Sequence, residues 1–133
     1  MNNDNYSREV ANNILQWLGG AKSIHMMIGA KNFMYDAQSA DKYLRFDFMR
    51  NPSKANRVKI TLDEATDTYI VEFIKRGPKM TINNLDKPRE YFADKLIKRY
   101  EYMYGEDLRD TFMRFTKLTL IIPRVFGINA PIQ

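Results

Sequence analysis

The period of the apolar positions changes several times along the chain, and each change marks an element. Val10, Ile14, Trp17 and Leu18 recur at helical spacing and predict a first helix with one buried face. Ser7 precedes them as a candidate N-cap, and Gly19-Gly20 ends the helix, because glycine takes the left-handed conformation at little cost. The next stretch favours extended structure, with strands expected over 23–28, 32–35 and 43–48. Turns separate them at Gly29-Ala30 and over 37–40, and Asn51-Pro52-Ser53 ends the third.

Alternation is strongest over 57–62 and again at Tyr69, Val71 and Phe73, on either side of a turn-rich segment. Folded as an antiparallel hairpin, these runs set Leu62 against Tyr69, Ile60 against Val71 and Val58 against Phe73. The same register places Lys59 opposite Glu72, so apolar and charged pairings agree.

Gly77-Pro78 ends that strand. Asp86 then caps an expected helix running to about residue 104, with Pro88 in its first turn and Gly105 as its stop. A shorter helix over 106–115 buries Leu108, Phe112 and Phe115, with Glu106 and Asp107 suiting its N-terminal dipole. A late strand is expected over 118–122. The pattern as a whole predicts an α+β fold: an N-terminal helix, an antiparallel sheet of four to five strands, and two C-terminal helices packed on one face. The 133 residues suit a single domain over 1–133, with a polar leader over 1–6 and a loosely structured tail over 123–133.

Composition narrows the chemistry. With no cysteine, the chain has no disulfide, no thiolate metal site and no cysteine nucleophile. His25 is the only histidine, and a structural role in a strand is expected for it. The carboxylate pairs Asp63-Glu64 and Glu106-Asp107 are accounted for by a turn and a helix start. Gly19-Gly20 matches no phosphate-loop or dinucleotide fingerprint, and no nucleophile elbow is present. The expectation is a protein that is not an enzyme, with no catalytic residues, metal or cofactor. Neither a signal peptide nor an apolar run long enough to cross a membrane is found, so the expected setting is the cytoplasm, away from membrane.

The formal charge is +5, unevenly spread: +4 over 31–62, −2 over 63–86 and +3 over 87–133. Lys54, Arg57 and Lys59 precede the expected hairpin, and Lys75, Arg76 and Lys79 follow it. The two sets leave the same end and can converge there as a basic patch. On the expected helix over 86–104, Tyr91, Lys95, Lys98 and Tyr102 fall on one stripe with Arg99 at its edge. Ammonium groups there suit phosphates, and phenol rings can stack on bases. The plainer reading is of lysines at the rim of a buried face with half-buried tyrosines.

The order Leu18-Gly19-Gly20, Met26, Gly29-Ala30-Lys31-Asn32-Phe33, Val58-Lys59-Ile60-Thr61-Leu62, Asp67-Thr68-Tyr69 with Val71-Glu72-Phe73, then Phe92-Ala93-Asp94 with Leu96, resembles a family of small bacteriophage and prophage proteins. The resemblance spans residues 14–97 and departs from the pattern beyond Tyr100. It implies a phage accessory role in the host bacterial cytoplasm, and it supplies no catalytic residues. The leading expectation is therefore a viral protein that binds nucleic acid or a host nucleoprotein complex through a basic, tyrosine-containing surface. The alternative is an anti-defence inhibitor, for example an anti-CRISPR protein, that binds a host defence protein or sequesters a nucleotide signal. Self-assembly as a homodimer is a third class.

Overall fold

A computed structural model describes residues 3–36 and 40–120. Within them the chain is α+β, with three helices and a five-stranded antiparallel sheet. The order is α1 (Asn3–Leu18), α2 (Ala21–Ile28), β1 (Lys31–Met34), β2 (Lys42–Asp47), β3 (Arg57–Asp63), β4 (Thr68–Lys75), a 3-10 turn (Arg89–Phe92), β5 (Lys95–Met103) and α3 (Gly105–Thr116). The strands lie in sequence order across the sheet, β1 and β5 being its edges.

Val10, Ile14 and Leu18 of α1 are buried as their spacing requires. Trp17 is not part of that face. It is 44% exposed and lies against Gly105, where a Cβ would overlap its indole. Ser7 is not the cap either. The helix already begins at Asn3, so Ser7 sits buried within it.

Residues 23–28, expected as a strand, form α2. Ile24 and Ile28, one turn apart, are fully buried, and Gly29 at φ 67 donates to the His25 carbonyl while Ala30 donates to Ile24. That is the glycine-terminated helix end in which two orphan carbonyls are satisfied together. The spacing and the glycine carried the signal; reading the segment by its apolar, β-branched content hid it. His25 lies in the last turn, not in a strand, with Nδ1 2.7 Å from the Ala30 carbonyl oxygen.

The β3–β4 hairpin has the expected register at every pair: Leu62 with Tyr69, Ile60 with Val71, Val58 with Phe73, Lys59 with Glu72. Leu44 and Phe46 of β2, with Val58, Ile60, Val71 and Phe73, line the covered face. Phe112 of α3 packs among Phe46, Phe48 and Phe73, with ring centroids 6.4, 5.0 and 5.9 Å away.

Residues 86–104 do not form the helix expected of them. Instead of a helix they form the 3-10 turn and then β5, paired to β4. Of the two C-terminal helices expected, the described residues contain α3 alone. Only Tyr100 and Met103 of β5 are even half-buried, so burial imposes no helical period on it. Backbone pairing to β4 settles the conformation instead, against propensities that are weak guides for a solvated segment. The register slips between Phe73/Ile74 and between Tyr69/Val71, and Tyr102 has φ 59. Such irregularities, together with Lys95, Lys98 and Arg99, discourage further strands from adding to this edge.

Residues 118–120 have no regular structure; the rest of the late strand expected over 118–122, and the tail over 123–133, lie outside the described residues. No helix among the described residues is long and apolar enough to cross a membrane.

Candidate functional site

The hairpin end from which β3 starts and β4 finishes carries the site. The turn after β2 is built around Asn51. Its Nδ2 donates to the carbonyls of Met49 (2.8 Å) and Ala55 (2.7 Å), and its Oδ1 accepts the Ser53 amide at 3.0 Å. These bonds hold Lys54 at φ 74, an uncommon conformation for a side-chain-bearing residue. Asn56 joins this turn to the end of β4: its amide donates to Ile74 (2.9 Å) and its Oδ1 accepts the Arg76 amide (2.8 Å).

A cavity of about 660 Å³ opens between these segments, with Arg50, Lys54, Lys75 and Arg76 in its wall and no carboxylate among its lining residues. A second of about 250 Å³ adjoins it, sharing Lys75 and Arg76 and adding Tyr91, Lys95 and the single carboxylate of Glu90. Lys75 and Lys95 stand directly opposite each other on β4 and β5. Like charges in that relation are destabilising, and no ion pair to either of them, or to Lys54, is found among the described residues. Arg76 is only loosely held, its Nη1 3.6 Å from Asp47 Oδ2, and its buried Nε has no hydrogen-bond partner among the described residues.

The other cations named from sequence lie elsewhere or are neutralised. Arg57 faces Asp47, with Nε 2.6 Å from Oδ1, and reaches Asp94 Oδ2 with Nη1 at 3.1 Å. Asn32 Nδ2 also donates to Asp47, at 2.9 Å. Burial alone would raise the Asp47 pKa, but the hydrogen bonds from Arg57 and Asn32 and the Arg57 and Arg76 charges outweigh it and leave it lowered. The same Asp47 hydrogen bond raises the Arg57 pKa further. Lys59 lies opposite Glu72, its Nζ 4.6 Å from the Tyr43 ring centroid. Arg99 bonds Glu72 at 2.9 Å and Glu101 at 2.8 Å.

The Tyr/Lys stripe does not exist as a helical face, because its residues sit on a turn and a strand. Lys98 is opposite Phe73 with Nζ 5.2 Å from the Tyr100 ring centroid, and Tyr102 lies toward the opposite end of β5 from Lys95. Lys79 is exposed on the β4–β5 connection.

The structure thus brings together Lys54, Lys75, Arg76, Tyr91 and Lys95, and leaves out Arg57, Lys59, Lys98, Arg99 and Tyr102. Arg50 was missed by sequence reasoning. The Asn51-Pro52 turn was the available signal, since it returns the chain so that residues 50 and 54 flank one opening. Such an arrangement can hold an anion: guanidinium groups match phosphate geometry in pairs of parallel bonds, and ammonium groups add charge. Among the described residues no cluster of histidine and carboxylates could hold a metal ion. Against protein-family models, curated proteins and solved structures alike, the chain has no significant match.

Proposed function

We propose that this protein is a non-enzymatic bacteriophage accessory protein, working in the host cytoplasm, that binds nucleic acid through the basic cleft at the end of its sheet. The observation that supports this reading most is the convergence of Arg50, Lys54, Lys75 and Arg76 on one cavity without a lining carboxylate. Phosphates are the ligands such a cleft suits, and Tyr91, 44% exposed with Lys87 Nζ 5.6 Å from its ring centroid, is the aromatic side chain in the wall with Lys95 against which a base would stack.

The test is equilibrium binding of single- and double-stranded DNA and RNA across salt. If the four cations each neutralise a phosphate, log affinity falls against log salt with a slope of about −3 to −4 for duplex. The double substitution Lys54→Glu/Lys75→Glu abolishes binding at the highest salt where the wild type still binds. Absence of binding at low salt, indifference to salt, or indifference to the double substitution overturns the proposal.

A further inference from the structure

The chain between β4 and β5 is a closed excursion with an apolar tip. Its neck is shut by Gly77, whose amide donates to Asp94 Oδ1 at 2.9 Å and which lies so near the Phe92 carbonyl that a Cβ would overlap it. Asn84 organises the tip: Oδ1 accepts the Thr81 amide at 2.7 Å, Nδ2 donates to the Lys79 carbonyl at 3.1 Å, and its own amide donates to Thr81 at 3.1 Å. From this framework project Met80, Ile82 and Leu85, exposed by 64%, 85% and 61%. The fold gains almost nothing from side chains so exposed, although the backbone around them is specified bond by bond. Lys79, Lys87 and Arg89 flank them, and Lys75, Arg76 and Lys95 lie at or beside the neck.

We infer that this loop is a wedge that enters the minor groove of duplex DNA, driving Ile82, with Met80 or Leu85 beside it, into a base step while the neck cations hold the flanking phosphates. The inference rests on the nucleic-acid reading of the cleft and specifies the form of its ligand. Charge argues for this occupant: Lys79, Lys87 and Arg89 along the loop, with Lys75, Arg76 and Lys95 at its neck, outnumber the carboxylates of Asp86 and Glu90, so the excess charge that would meet flanking phosphates is positive. Reach agrees. Four residues lie between Gly77 and Ile82, at most about 17 Å of chain and less with the Thr81–Asn84 turn folded, against a minor groove roughly 7.5 Å deep. Apolar wedges of this type unstack a step and bend the duplex by roughly 20–90° toward the major groove. Pyrimidine–purine steps yield most readily.

The experiment uses the full chain and a short duplex with a central TA step, end-labelled for energy transfer and carrying 2-aminopurine at that step. The wild type is expected to shorten the end-to-end distance and raise the 2-aminopurine emission. Ile82→Ala/Leu85→Ala keeps affinity within about tenfold, since the phosphate contacts that position the protein remain, but leaves the duplex straight; Ile82→Met retains the bend. A wild type that binds without bending, or a tip variant that bends equally, overturns the wedge and leaves the cleft reading intact. Failure to bind duplex DNA at low salt removes the wedge, and failure to bind single- or double-stranded DNA or RNA of any kind there removes the cleft reading with it. Tip-dependent binding to phosphatidylserine vesicles, with DNA left straight, gives the tip to a lipid surface and also overturns the wedge.

Discussion

Arg57 and Lys75 leave neighbouring strands at the same end of the sheet, yet they belong to opposite kinds of charge cluster. Around Arg57 every charge is answered: Asp47 on one side, Asp94 on the other, with Asn32 completing the shell of the buried carboxylate. Around Lys75 cations accumulate, with Lys54 and Arg76 in the same cavity wall and Lys95 directly opposite, against the single carboxylate of Glu90 in the adjoining cavity. The first cluster ties β2, β3 and the start of β5 together. The second is an unfavourable arrangement in the free protein, and an anion would relieve it. A count of cations does not separate the two; only the position of the carboxylates does.

The comparison breaks most visibly at Asp47. Its side chain is 1% exposed and serves two arginines. Asp47→Ala leaves Arg76 without a carboxylate and Arg57 with Asp94 alone, and is expected to cost about 3 kcal/mol, the lower end for a broken buried pair, read as a fall in the urea midpoint. A midpoint shift no larger than that of a typical surface substitution would show that the network is not structural.

Acid is the second probe. Because the folded-state pKa of Asp47 is depressed, its stabilisation is complete above the unfolded value of about 3.9 and is lost as pH falls through the lower folded value. Urea midpoints taken from about pH 6 down to about pH 2 should therefore fall less steeply in Asp47→Asn than in the wild type. Parallel curves would mean that Asp47 titrates normally.

Charge reversal on opposite sides of the comparison should give opposite signs. Lys75→Glu turns the Lys75–Lys95 pair into an attractive one and is expected to raise stability by about 0.2–1 kcal/mol while weakening polyanion binding. Lys59→Glu sets a second carboxylate against Glu72 and should lower stability by about the same amount, with binding little changed. Thermal unfolding of the two variants, run side by side with a salt-dependent binding assay, checks both halves. Smallest of all is Arg99→Ala. Its two ion pairs are solvent-exposed, where screening leaves little net stabilisation, so neither the midpoint nor DNA affinity should move measurably.

What was legible in the sequence was what burial enforces locally. The β3–β4 register could be read because one face is core: a slip of a single residue would turn Val58, Ile60, Val71 and Phe73 out to solvent. The α3 face, with Leu108 and Phe112 buried, was legible for the same reason. β5 was misread because almost none of it is buried, so its pattern of apolar residues carries no imposed period. Half of the site was legible too, since a hairpin necessarily brings Lys54 and Lys75 to one end. The helical stripe failed with the helix that was to carry it.

The sequence by itself determined the α+β class, the central hairpin and the convergence of basic residues at its open end, because these follow from side-chain alternation and chain connectivity over short distances. The tertiary structure alone decided which of those cations meet a carboxylate. Asp47 lies ten residues before Arg57 and Asp94 thirty-seven after it, and pairing over such separations is settled only when strands dock. That docking silences Arg57 and leaves Lys54, Lys75 and Lys95 without an ion pair among the described residues.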